Sequence, residues 1–193
     1  MGERQIFQPL TTEDRVTVVL YRVGIVAATA VIVCLAGLVA TGTSPGSITD
    51  ALGYGLYLSV GLSVFFIHLY IGKFKTYLKN LYFLSLGCLI VLLIIGKGSL
   101  SAGVARPYGA LLLLPLSGCL GFVTAKEAFC FKLLEGYLLA MIMPLYLLLA
   151  SAGVLGGNVV SGLVLIAGVL LLFTMRKVFM PLAYDIGDKT AYQ

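Results

Sequence analysis

The chain has 193 residues, of which 60% are apolar and only 11% charged, with a mean hydropathy of +1.06. Little is left over once apolar spans of about 20 residues each are counted, which excludes a soluble domain. The formal charge of +5 is not the mark of a nucleic-acid partner, because the basic residues cluster in short loops beside the spans, where the positive-inside rule accounts for them.

Residues 1–15 read as a polar segment of mixed charge. The apolar run that follows, residues 16–40, is longer than a signal peptide's apolar region and reads as a retained first span. Five more runs follow at residues 51–71, 81–95, 107–125, 133–152 and 155–175. The fold class is therefore all-α: a polytopic membrane protein of six transmembrane helices, with residues 16–175 as the membrane domain and 176–193 as a tail. Span three is the shortest; either it recruits Leu78, with Lys79 and Asn80 reaching back to the headgroups, or it sits where the bilayer thins. Pro107 suits a first helical turn, whereas Pro144 lies inside span five.

Placing the amino terminus in the cytoplasm puts Arg4, Arg15, Arg22, Lys73, Lys75, Lys79, Lys126, Lys132, Arg176, Lys177 and Lys189 on the inner side and leaves only Lys97 and Arg106 outside. Both termini are then cytoplasmic. Of the acids, Asp50 alone falls outside. The outer loops are short, rich in Gly and nearly uncharged, too small for a receptor domain.

Tyr54-Gly55 with Lys73 and Lys79, and Tyr108-Gly109 with Lys126 and Lys132, suggest two parallel hairpin repeats, an explanation matched by chance similarity between membrane hairpins. Small residues at Ala51, Gly55, Ser59 and Ser63, echoed by Ser117, Gly121 and Ala125, read as helix-packing faces. At about 100° per residue His68 points almost opposite Ser59, toward another helix or the lipid.

His68 is the single histidine. A neutral imidazole can ligate a chlorophyll magnesium or carry a proton, but one histidine makes neither a bis-histidine haem nor a His-based zinc site. The simpler reading is an interfacial side chain bonded to a neighbouring helix or water. Arg22 in span one and Glu135 in span five lie at similar depth on the inner side, so an Arg22–Glu135 pair with His68 nearby is the sharpest intramembrane constellation, structural first and a ligand or proton site second. The inner loop carries Lys126, Glu127, Phe129, Cys130, Phe131 and Lys132, a mixture of charge and aromatics suited to the headgroup layer or to docking. The four cysteines have no ligand spacing, and no GxSxG, P-loop, HExxH or dinucleotide fingerprint is present, which argues against an enzyme.

Val19-Leu20-Tyr21-Arg22, Ile67-His68-Leu69-Tyr70, Lys126-Glu127-Ala128-Phe129-Cys130-Phe131 and the tail Tyr184-Asp185-Ile186-Gly187-Asp188-Lys189 resemble a family of uncharacterised integral membrane proteins of cyanobacteria and related photosynthetic lineages. The resemblance runs over nearly the whole chain and implies a cyanobacterial-type membrane, plasma or thylakoid, with no activity to carry across. Tail residues Asp185, Asp188 and Lys189 join the inner loop as a docking surface. The first functional expectation is a non-enzymatic accessory or assembly factor of a photosynthetic or respiratory complex. The alternative is a small oligomeric transporter or channel for an ion or small solute.

Overall fold

The computed structural model describes residues 11–42, 46–69, 71–182 and 185. Every regular element among them is helical: α1 (Thr12–Ala40), α2 (Gly46–Phe66), α3 (Gly72–Ile95), the short α4 (Leu100–Val104), α5 (Leu114–Phe131), α6 (Leu134–Ser151) and α7 (Val159–Val178). Single 3₁₀ turns, Gly109–Leu113 and Gly156–Asn158, lead into α5 and α7. Six helical segments are long and apolar enough to cross a membrane.

Helix α1 starts where a capping box starts it. Thr11 Oγ1 accepts the Asp14 N–H at 3.2 Å, and Asp14 Oδ2 accepts the Thr11 N–H at 2.9 Å. Two orphan donors are thereby satisfied, and the acids Glu13 and Asp14 lie against the positive end of the helix dipole. At 1.5 Å per residue the 29 residues of α1 extend roughly 43 Å, beyond a hydrocarbon core of about 30 Å. The first turns therefore stand in the headgroup layer. With six crossings, α1 begins and α7 ends at one end of the bundle, the same end that carries Lys73, Lys75, Lys79, Lys126 and Lys132. We call it the basic end.

Small residues bring the helices together. A Cβ on Gly24 of α1 would lie 2.3 Å from Ser63 Oγ and 2.7 Å from the Ser59 carbonyl, so α1 and α2 touch backbone to backbone. A Cβ on Gly136 of α6 would lie 2.3 Å from the Thr124 carbonyl of α5. Close approach of this kind replaces the hydrophobic drive that lipid cannot supply. Ser59 and Ser63 lie on the packed face as their spacing predicts, whereas Ala51 is exposed.

Four expectations need correction. Span three is not short: α3 has 24 residues and takes Lys73, Lys75 and Lys79 into its first turns, because long lysine stems can lie along apolar surface with their ammonium groups in the headgroup layer. Pro107 precedes the helix instead of opening it, and Pro115 occupies that place in α5. The hairpin repeat fails in register. Lys73 follows the α2–α3 turn, whereas Lys126 precedes the α5–α6 turn made by Lys132, a left-handed residue at φ 55°. Finally, α2 ends at Phe66 and residues 67–69 are irregular, so helical geometry cannot be extrapolated to His68. The ring turns to α1, the helix that Ser63 also faces, with Nε2 3.2 Å from Thr17 Oγ1.

Candidate functional site

The two ends of the bundle are built from opposite materials. At the basic end, charge is buried. Arg176 and Lys177 are neighbours in the last turn of α7, and 100° of helical rotation sends them different ways. Arg176 turns outward to Glu135 of α6. Lys177 turns inward and is 1% exposed. Its ammonium meets both Glu127 of α5 and Asp185 of the tail, 4.0 Å above the ring of Phe131.

Glu127 is buried too, and its carboxylate is shared. Oε1 accepts from the Tyr21 hydroxyl at 2.7 Å and from Lys126 Nζ at 2.8 Å, while Oε2 takes the Lys177 charge. On α1, Arg22 follows Tyr21 and completes the chain. Its Nε donates to Asp185 Oδ2 at 2.6 Å, and its two terminal nitrogens donate to the carbonyls of Val178, Met180 and Pro181. These oxygens lie at and just beyond the end of α7, where a cation opposes the negative end of the helix dipole. A planar guanidinium with five N–H donors can serve the carboxylate and the carbonyls together, which an ammonium cannot. Deeper in the same α1–α7 seam, the Thr29 and Thr174 hydroxyls meet at 2.7 Å.

Three cations and two carboxylates, drawn from α1, α5, α7 and the tail, thus form one contiguous network. Ions taken out of water are costly unless paired and hydrogen-bonded. Here each ion has a partner within the cluster, and the network fastens the three helices and the tail to one another.

The trio expected from sequence does not assemble. Arg22 is held by Asp185, Glu135 by Arg176, and His68 by Thr17. The pairing expectation placed Arg22 and Glu135 together on depth alone, and depth does not say which faces of α1 and α6 meet. His68 Nδ1 is buried with no hydrogen-bond partner among the described residues. Burial first, and then the charges of Lys126 and Lys75, hold its pKa below the ordinary 6.5, leaving the ring neutral near pH 7.

The expected docking loop is also reassigned. Residues 126–131 are the last turns of α5, not a loop, and Lys126 and Glu127 face the interior; Phe129, Cys130 and Lys132 are exposed and Phe131 is half-buried. Asp185, read as part of an exposed tail, is 4% exposed. Asp188 and Lys189 lie outside the described residues.

At the other end of the bundle a cavity of about 710 Å³ extends inward from the surface. Its walls are mostly apolar and come from all the long helices except α3. Arg106, Pro107 and Tyr108 line its mouth, and Tyr57, Leu120, Met143 and Ile166 line it nearer the middle of the bundle. Helix α4 borders it through Leu100 and Val104 and is tied in place by Asp50, whose Oδ1 accepts the Ser101 N–H at 2.6 Å. His68, Arg22 and Glu135 do not line this cavity. Sequence reading missed it, although Ser117, noted as a packing residue, is part of its wall. Among the described residues no three His, Cys, Asp or Glu side chains gather as a metal site.

Residues 62–193 match the profile of a family described as uncharacterized integral membrane protein (DUF2301). The chain belongs to that family. Neither the curated proteins nor the solved structures provide a match. The matched region of this DUF2301 protein holds Lys126, Glu127, Lys177 and Asp185, while Tyr21 and Arg22, which bind two of them, precede it.

Proposed function

We propose that this protein is a non-enzymatic carrier that takes a small, largely apolar solute into the membrane from the end opposite the lysines, which is the extracytoplasmic side if the charge bias reports insertion. The observation that carries this reading is the cavity: a space of about 710 Å³ is of the size that small-molecule sites occupy. It lies in the half of the bundle away from the lysines, and the buried ion network lies between it and the basic end. In a carrier, a network of paired ions is a gate whose opening separates charges, a discrete step of the kind that alternating access requires.

The test is to unlock the gate. Glu127→Gln weakens the pairs to Lys126 and Lys177 while keeping the shape of the side chain, and Thr174→Cys reports the seam beneath. In reconstituted vesicles the reactivity of Thr174→Cys toward an impermeant thiol reagent added at the basic end should rise when Glu127→Gln is present. A cysteine that stays unreactive in both backgrounds would argue for a binding protein that does not open.

The other reading, an accessory factor of a photosynthetic or respiratory complex, draws support from Phe129, Leu134 and Phe179, which expose about four-fifths of their surface at the basic end and offer an aromatic and aliphatic contact beside Arg176. Co-purification from native membranes with a multi-subunit complex, lost on replacing Phe129 and Phe179 by Ser, is the outcome that would favour it.

A further inference from the structure

Among the described residues that line the cavity, Arg106 alone carries a charge. The segment that bears it is packed backbone to backbone. A Cβ on Gly103 of α4 would lie 2.3 Å from the Leu92 carbonyl oxygen of α3, and one on Gly109 would lie 2.2 Å from the Gly103 carbonyl oxygen. The main chain of Arg106 is bonded on both sides: its N–H donates to the Gly103 carbonyl at 3.2 Å, and its carbonyl accepts the Gly109 N–H at 2.9 Å. Two residues on, Tyr108 holds a left-handed backbone at φ 63°, a conformation unfavourable for a residue with a Cβ and kept only where the surroundings over-determine it. The rim of the cavity is therefore fixed. The Arg106 side chain is exposed at that rim and has no hydrogen bond or ion pair among the described residues, whereas Arg22 and Arg176 each hold a carboxylate. Asp50, the one acid at this end among the described residues, accepts the Ser101 N–H at 2.6 Å and does not line the wall.

A guanidinium at the mouth of an otherwise uncharged space sorts guests by the charge they carry and by where they carry it. The walls nearer the middle of the bundle, among them Leu120, Met143 and Ile166, favour an apolar body and penalise an ion. The rim favours an oxyanion, to which a planar guanidinium can present two parallel N–H donors, and no carboxylate in the wall repels it. From this we infer that the cavity is a binding site for an apolar chain ending in an oxyanion, the chain inward and the head at Arg106. The inference rests on the carrier reading and names its solute class. Two sources supply such a head within a membrane: the carboxylate of a fatty acid and the phosphate of a lipid.

Equilibrium dialysis of the purified full-length protein in an uncharged detergent, with protein-free micelles as background, tests this against four probes that share one chain and differ in the head. The probes are decanoate, decyl phosphate, decanol and decyltrimethylammonium. Decanoate or decyl phosphate should bind more tightly than decanol by roughly three- to tenfold at low salt, and added salt should shrink the gap. Whichever anion binds tighter identifies the source. Arg106→Gln should remove the gap, and Arg106→Glu should pass the preference to decyltrimethylammonium. Ala150→Phe, which fills the cavity from α6, should weaken all four probes together. Decanol or decyltrimethylammonium binding as tightly as both anions, or an anion preference that survives Arg106→Gln, overturns the inference but leaves the apolar carrier standing. Binding of none of the four, by protein whose thermal unfolding midpoint shows it to be folded, overturns both.

Discussion

The basic end of the bundle buries charge in paired groups; the opposite end buries almost none and holds a cavity of about 710 Å³. Around Glu127 every charge has a partner, so the polar groups there bind helices to one another. At the opposite end Tyr57 Oη and Ser117 Oγ are buried with no hydrogen-bond partner among the described residues. The contrast separates polar groups that hold the fold together from polar groups that add nothing to it, and it makes opposite demands on the same substitution, polar to apolar.

The largest effect should come from Glu127→Leu, which removes the only carboxylate paired with Lys126 among the described residues, leaves Lys177 to Asp185 alone, and leaves the Tyr21 hydroxyl without its acceptor. Breaking a buried pair by removing one partner costs about 3–5 kcal/mol, measurable as lost stability in a detergent unfolding titration. Adding Lys177→Leu should recover part of the loss, since the excess positive charge is then removed; no recovery would mean that the network is not the cause.

Next comes Gly24→Leu. With a Cβ only 2.3 Å from Ser63 Oγ and 2.7 Å from the Ser59 carbonyl, α1 and α2 must separate, and overpacking of this kind costs about 1–3 kcal/mol. The same unfolding titration reads it. At the cavity the sign reverses. Tyr57→Phe with Ser117→Ala removes two unsatisfied hydroxyls, so stability without ligand should hold or rise, by no more than about 1–3 kcal/mol for each group. A marked loss would mean that these hydroxyls have partners after all, and the comparison between the two ends would fail.

A smaller change is expected for Arg176→Ala. Arg176 is half exposed where it meets Glu135, and exposed pairs contribute about 0–1 kcal/mol. Smallest is the contribution of His68. Because its folded pKa lies below the ordinary 6.5, the unfolded chain takes up a proton first as pH falls, so stability declines as pH drops from above 6.5 toward the lowered folded value and then levels off. His68→Gln should flatten that part of the pH profile.

Much of this fold is legible in the sequence because membrane spans are written in long apolar runs. The positions of all six helices follow from them, and α1 from Val16 to Ala40 needs only four more residues at its start. The residues around the site are harder to read. Lys126 and Glu127 look like a loop, since charge normally marks the end of a span; they belong to α5 because Tyr21 and Lys177 satisfy Glu127 inside, and Glu127 pairs with Lys126. One signal was available: adjacent Arg176 and Lys177 cannot both leave the same helix face, so one of them had to turn inward. Arg22 to Asp185 spans nearly the whole chain and depends on Asp185 lying against Lys177 of α7, which no local pattern encodes. The cavity is invisible for a different reason. It is space between helices, and a sequence lists walls without their separation.

The central claim, that the bundle is open at one end and shut by paired charge at the other, can be tested with single cysteines in a background whose four native cysteines are replaced. Leu163→Cys stands in the cavity wall on α7, and Thr174→Cys lies further along the same helix against Thr29. With a membrane-impermeant thiol reagent added to one face of oriented vesicles at a time, the cysteine at 163 should react only from the face opposite the lysines, and the cysteine at 174 should remain essentially unmodified from either. Rapid modification at 174 from the lysine-bearing face, with 163 silent from both, would contradict the account.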